Sequence, residues 1–157
     1  MFNQLIFSQT SIPKAQSLFV YNFTRLIEWP SAYKTGDFII GTLGTGDIVD
    51  ELGSTMTGKK IGAQSVKVEN YNNASEIGRC NILFITFSKS GLLEDALAKL
   101  GNESTLIITE KTGFAEKGAV INFVVVGNSL KFELSKAEAT KRNLIISSAL
   151  EKMAIAK

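Results

Sequence analysis

Apolar residues recur along the chain first at helical spacing and then in short, nearly uninterrupted runs. The first helical pattern extends from Pro13 to Trp29, and the proline that follows Trp29 ends it. Four strand-like segments come next, at residues 37–43, 64–71, 81–87 and 104–109. Helical patterns separate two pairs of these segments, at residues 47–56 and 90–100. Strands that alternate with helices of this length predict right-handed crossovers and a parallel sheet covered on both faces.

The pattern changes after residue 113. Two strand-like segments, 119–126 and 129–134, are separated by Gly127-Asn128, which is typical of a hairpin turn. A capping box at residues 135–138 predicts the start of a helix, and residues 144–155 have the spacing of a terminal helix. We therefore predict a single α/β domain over residues 1–157. It has three layers: a mostly parallel mixed sheet, helices on both faces and a C-terminal antiparallel hairpin.

The composition argues against several classes of protein. A formal net charge of +2 with scattered lysines and arginines gives no sign of a nucleic-acid partner. No apolar run approaches the roughly 18 residues that cross a membrane, so we expect no direct membrane insertion. The first twelve residues lack the basic and apolar segments of a signal peptide. Either the protein is cytoplasmic, or Met1 stands in front of a mature chain.

The scarcity of two residue types, histidine and cysteine, restricts the catalytic and metal chemistry of the protein. Histidine is absent, and Cys80 is the one cysteine. This excludes Ser-His-Asp and Cys-His catalytic sites and any zinc site built from cysteine and histidine. The acidic pairs on predicted helices are adjacent in sequence, so their side chains point about 100° apart. We therefore expect no catalytic residues, no metal and no cofactor, and we predict that the protein is not an enzyme.

A glycine-rich turn follows the first predicted strand. Its sequence lacks the third glycine of a dinucleotide-binding loop, and Asp47 would place a carboxylate where a phosphate binds. We interpret it as a tight turn with Asp47 as the N-cap of the next helix. The turn still shares a sheet edge with the end of another strand, and ligands bind at that edge in open α/β sheets. A small-molecule site there is an alternative hypothesis, with Gly44, Thr45, Gly46, Thr109 and Glu110 as ligand-binding residues.

The end of the first helix, LFVYNFTRLIEWP, concentrates aromatic residues and contains the only tryptophan. Tyr21 and Arg25 lie off the apolar stripe, and Glu28 and Trp29 stand where the helix ends. One account is that Trp29 closes the core while its N–H finds a polar group. The other is that the helix end forms a protein-binding patch, because aromatic residues and arginine are frequent in such patches.

The sequence resembles the YfiR/HmsC-like family of small exported bacterial α/β proteins. Its leading motif, an aromatic helix that runs into EWP, stands here as YNFTRLIEWP at residues 21–30. Further blocks match in order: IGTLG at 40–44, CNILFI at 80–85, TLIITE at 105–110, GAVINF at 118–123 and KFEL at 131–134. Some members contain paired cysteines, but this chain has only Cys80, so we do not expect redox control by an intramolecular disulfide.

The resemblance implies a non-enzymatic periplasmic regulator whose signal peptide has been removed. It implies that the protein restrains a membrane-bound signalling protein through protein contact. That partner would be a diguanylate cyclase or a sensor kinase. Related domains occur beside kinases of this type. We assign the partner-binding surface to Tyr21, Arg25, Glu28 and Trp29. A homodimer is left open.

Overall fold

The structure is a computed structural model that describes residues 11–155. Residues 1–10, which make up most of the segment compared above with a signal peptide, lie outside the described part. The α-helices are α1 Ile12–Leu26, α2 Asp47–Met56, α3 Leu93–Leu100, α4 Lys136–Lys141 and α5 Ser148–Met153. The strands are β1 Ile27–Glu28, β2 Phe38–Leu43, β3 Lys60–Ile61, β4 Gln64–Tyr71, β5 Ile82–Ile85, β6 Leu106–Thr109, β7 Ile121–Val126, β8 Ser129–Leu134 and β9 Ile145–Ile146. Short 3-10 helices occur at Ser31–Tyr33, Ala74–Glu76, Phe87–Leu92 and Phe114–Glu116.

Seven of these strands form one sheet in the order β3-β4-β2-β5-β6-β7-β8. The neighbours from β4 to β7 pair in parallel, whereas β3 and β8 pair antiparallel at the two edges. From β2 the chain first moves outward to β4 and then returns to β5 on the other side. This reversal between β2 and β5 is the switch point of a doubly wound sheet. The predicted mixed sheet and C-terminal hairpin are confirmed.

Two apolar clusters cover the two faces of the sheet. On one face, α1, α2 and α5 pack on the sheet through side chains such as Phe23, Leu52 and Leu150. Phe23 also meets Phe132 of β8 edge to face, with ring centroids 5.1 Å apart. On the other face, α3 supplies apolar side chains that include Leu93. Helices therefore lie on both sides of the sheet, as predicted.

Several predicted helix boundaries are wrong, and so is the predicted N-cap of α2. The helix expected at residues 90–100 begins at Leu93, because Phe87–Leu92 is a 3-10 segment. The first helix ends at Leu26 instead of Trp29, because Ile27–Glu28 leaves it to form an antiparallel pair with Ile145–Ile146. The terminal helix likewise begins at Ser148 instead of residue 144, since β9 occupies its predicted start. At α2, Gly46 is the N-cap with a φ of 136°, and Asp47 is the first helical residue. The Asp47 carboxylate, one position after the N-cap, is still stabilised by the positive end of the helix dipole.

The outer edge of the sheet is partly covered by the segment after α5. The Ile155 N–H donates a hydrogen bond to the main-chain carbonyl of Phe132 in β8, at 2.9 Å. This carbonyl would otherwise face outward from an edge strand. Within residues 11–155, no helix has the length and apolar character needed to cross a membrane.

We predict opposite effects for two glycine-to-alanine substitutions. A Cβ at Gly41 in β2 would lie 2.7 Å from the buried ring of Tyr71, whereas a Cβ at Gly53 in α2 meets nothing within 4 Å. Gly41→Ala should lower the free energy of unfolding by about 1–3 kcal/mol through overpacking. Gly53→Ala should raise it by about 0.5–1 kcal/mol, because alanine loses less chain entropy in a helix. Urea unfolding measures both, and a tolerated alanine at residue 41 would contradict the packing described.

The thiol of Cys80 should be inert in the native protein. It is 1% exposed, and burial raises its pKa to about 12, so it stays protonated at pH 8. The unfolded chain loses this proton near pH 8.5. Stability should therefore fall as pH rises from about 8.5 toward 12, because the native state binds more protons in that range. Ellman's reagent at pH 8 and alkaline urea titrations against Cys80→Ala test this, and rapid native labelling would refute it.

Candidate functional site

The end of α1, β1 and the turn Ser31–Tyr33 enclose a cavity of about 310 Å³. We call it the EWP cavity; its lining includes Arg25, Glu28, Trp29, Phe38, Ile61 and Asn81. It lies at the amino-terminal edge of the parallel strands, because Phe38 begins β2 and Asn81 directly precedes β5. Three of the four residues assigned to the partner surface therefore meet at one place.

Trp29 forms a wall of this cavity. Its side chain is 5% exposed and meets the ring of Phe38 edge to face, with ring centroids 5.2 Å apart. The indole N–H donates a hydrogen bond to the main-chain carbonyl of Asn81 at 3.0 Å. The structure thus supports the account in which Trp29 closes the core. Because the side chain is buried and lines the cavity, a partner can meet the ring only through the cavity.

Asn81 joins the sheet to the turn Ser31–Tyr33 that follows the EWP motif, which we call the EWP turn. Its side-chain oxygen accepts a hydrogen bond from the Ile39 N–H at 3.0 Å, and its amide nitrogen donates to the Tyr33 carbonyl at 3.0 Å. Its main-chain carbonyl accepts from the Leu106 N–H at 2.8 Å as well as from Trp29. Asn81 is 4% exposed, so water does not compete for these bonds. Asn81 was not predicted as a site residue, although a polar side chain before an apolar strand is a visible signal.

Tyr33 anchors the far side of the turn. Its hydroxyl donates to the Glu103 carboxylate and accepts from the Ser104 N–H, the latter at 2.9 Å. The guanidinium of Arg79 lies 4.1 Å from the centre of its ring. Burial and the hydrogen bond to Glu103 raise the pKa of Tyr33, so the neutral phenol is the form that holds the turn.

The rim of the cavity is charged. Arg25 and Glu28 are exposed, and the Glu28 carboxylate pairs with the ammonium group of Lys34. The guanidinium carbon of Arg25 lies 5.8 Å from the centre of the half-buried Tyr21 ring. The ammonium nitrogen of Lys59 lies 5.2 Å from the same centre. Lys34 and Lys59 were not predicted, because no sequence pattern places them beside α1.

The alternative site lies at the opposite, carboxyl-terminal edge of the sheet. Thr45, Gly46 and Glu110 line a cavity of about 350 Å³ there. The Glu110 carboxylate accepts hydrogen bonds from the Gln16 side chain and the Phe87 N–H, both at 2.8 Å, so it fastens α1 over this edge. The polar groups of this cavity therefore satisfy one another in part.

The other two residues of the alternative site lie behind this cavity. Thr109 is fully buried and donates to the side-chain oxygen of Asn122 at 2.7 Å. Gly44 has a φ of 115°, and a Cβ there would collide with the hydroxyl of Thr86. Both residues are explained by packing. Within residues 11–155, no three carboxylate or thiol groups come together in a way that could hold a metal ion.

Replacing Asn81 with alanine should destabilise the protein and loosen the EWP turn. The change leaves the partly buried Ile39 N–H without its acceptor, which costs about 1–3 kcal/mol in the free energy of unfolding. Asn102→Ala, at an exposed loop position, is the matched control and should change stability by less than about 0.5 kcal/mol. Urea unfolding followed by Trp29 fluorescence measures both, and equal effects would contradict the role assigned to Asn81.

Comparison with known proteins identifies one family. The family model described as YfiR/HmsC-like matches residues 13–155, which is nearly the whole chain and includes both cavities. A search of curated proteins gave no match. The aromatic helix and EWP motif from which the resemblance was first inferred lie within the matched residues and form the wall and rim of the EWP cavity. The chain therefore belongs to the YfiR/HmsC-like family.

Proposed function

We propose that this protein is a periplasmic regulator that binds a membrane-bound diguanylate cyclase and restrains it through direct contact. Membership of the family supports the proposal, because YfiR/HmsC-like proteins are periplasmic regulators of such cyclases. The observation that carries the proposal at residue level is the convergence of Arg25, Glu28 and Trp29 on one cavity.

The surface around the EWP cavity has the properties of a protein-binding site. Its rim is polar and exposed at Arg25 and Glu28, whereas its walls are the apolar rings of Trp29 and Phe38. In protein interfaces most of the binding free energy comes from a few side chains that fill such pockets, and a polar rim surrounds them. We therefore place the partner over this cavity, with Tyr21 at its margin.

Restraint follows from a difference in affinity. A regulator that binds the inactive conformation of the cyclase more tightly than the active one shifts the population toward the inactive state. A shift from 1:99 to 99:1 needs a difference of about 5.5 kcal/mol in binding free energy. The hydrogen bonds of Asn81 and Tyr33 keep the cavity in one shape, so less free energy is lost to ordering it on binding. A sensor kinase with a similar periplasmic domain would be restrained in the same way.

Charge reversal at Arg25 tests the proposal. The purified protein should bind the periplasmic part of the diguanylate cyclase encoded nearest to its gene, as measured by calorimetry. Arg25→Glu should weaken this binding at least about tenfold, since arginine is a frequent hot-spot residue. The exported variant should also fail to lower cellular cyclic di-GMP in a strain that carries the cyclase.

Lys99→Glu is the matched control. Arg25 and Lys99 are both exposed cations in the last turn of a helix, so reversing either charge costs similar helix stability, about 0.3–1 kcal/mol. Lys99 lies on α3, at the other face of the sheet. The Lys99→Glu variant should bind the cyclase as tightly as the unmodified protein does. Its melting temperature should fall as much as that of Arg25→Glu. Equal binding by all three proteins would refute the assigned surface, and no binding by the unmodified protein would refute the function.

A further inference from the structure

On the face where α1 and α2 pack side by side, three acidic residues stand at one end and three basic residues at the other. The two helices run in the same direction, because Pro13 lies near Asp47 where both helices start, and Tyr21, in the second half of α1, lies under Lys59, which follows the end of α2. The acidic residues of this face stand at the start of α2: Asp47, Asp50 and Glu51. The basic residues stand at the end, next to the EWP cavity: Arg25, Lys59 and Lys60. We call these two groups the acidic end and the basic end.

The charge of the basic end is not neutralised within the protein. In the part of the chain that the structure describes, Arg25 and Lys59 form no salt bridge, and both lie over the ring of Tyr21. The ammonium group of Lys60 bonds the hydroxyl of Ser65 at 2.9 Å. Both cations lie within 5.8 Å of the centre of the same ring, and an anion from outside would stabilise them.

A recess that is apolar in part opens beside Arg25, and the paired side chains of Glu28 and Lys34 also line it. The EWP cavity has Arg25 at its rim and Trp29, Phe38 and Ile61 in its lining, with a volume of about 310 Å³. Pockets for complete small ligands begin at about 300 Å³. The EWP cavity is at the lower end of this range, and it has room for one large apolar side chain.

We propose that the EWP cavity and the basic end recognise an acidic peptide segment of the partner that carries one large apolar side chain. The apolar side chain enters the cavity against Trp29 and Phe38. Carboxylates that flank it bind Arg25 and Lys59, which both lie over the ring of Tyr21. This inference rests on the proposed function and adds the chemistry by which the partner is chosen.

A second copy of this protein is the competing occupant. Its acidic end could meet the basic end of the first copy in a head-to-tail contact. Such an assembly would grow with concentration and would weaken as salt is raised. Sedimentation analysis of the purified protein in low salt tests it. Polymers that Arg25→Gln abolishes would overturn the proposal in favour of self-association, whereas a monomer at all concentrations supports it.

The experiment uses Trp29, the only tryptophan of the chain, as the reporter. The probe is a synthetic, tryptophan-free peptide in which one phenylalanine is flanked by two glutamates on each side. Titration into the full chain should change the emission of Trp29, because the probe's ring packs against the indole. Raising the salt from about 0.05 M to about 0.5 M should weaken binding severalfold, because exposed charges become screened.

Two control peptides and three variants separate charge from shape. A peptide with lysines in place of the glutamates, and one with alanine in place of the phenylalanine, should both fail to bind. Arg25→Gln and Lys59→Gln should each weaken the acidic peptide about tenfold, and Lys99→Gln, on the opposite face, should not. The proposal is overturned if the lysine peptide binds equally well, if no peptide binds, or if Arg25→Gln has no effect.

Failure of the acidic-segment inference can be distinguished from failure of the proposed function. If the protein binds and restrains the cyclase but the acidic peptide neither binds nor competes, the regulator assignment stands and only the acidic-segment inference fails. If the protein has no effect on the cyclase, the proposed function fails, whatever the peptide does. Competition between the acidic peptide and the cyclase for the protein would support both.

Discussion

The hydrogen bonds of Asn81 hold the EWP turn against the sheet, and the candidate site depends on them. Two strands, the turn and the indole of Trp29 all reach this one residue. The Ile39 N–H of β2 has its acceptor in the Asn81 side chain, at the point where the parallel pairing of β2 and β5 has not yet begun. A single buried amide therefore sets the distance between the end of α1 and the start of the strands, and with it the depth of the cavity.

The two ends of α1 have different roles at the two edges of the sheet. Ligands of open α/β proteins usually bind at the carboxyl-terminal edge. Here the start of α1 is fastened over that edge by the contact between Gln16 and Glu110. The end of the same helix forms the EWP cavity at the other edge, where Arg25 is exposed. The family motif thus marks the edge that the general rule for this architecture does not select.

Features with a long repeating pattern were predictable from the sequence. The bounds of α2 and β4 agree with the prediction, and Gly127-Asn128 does form the hairpin turn. The pair β1 and β9 was missed, because a strand of two residues has no period to detect and is defined by a distant partner. The same reason explains why only part of the candidate site was predicted. A local motif indicated Arg25 and Trp29, whereas Lys59 and Asn81 come from segments that only the folded chain brings near them.

The bond between the Ile155 N–H and the Phe132 carbonyl has a consequence for solubility. An edge strand with free main-chain groups is a template on which strands of other molecules can polymerise. The hairpin strand β8 alternates apolar and charged residues around Phe132 and would be such a template. By occupying this carbonyl, the segment after α5 removes one main-chain acceptor with which a strand of another molecule could pair.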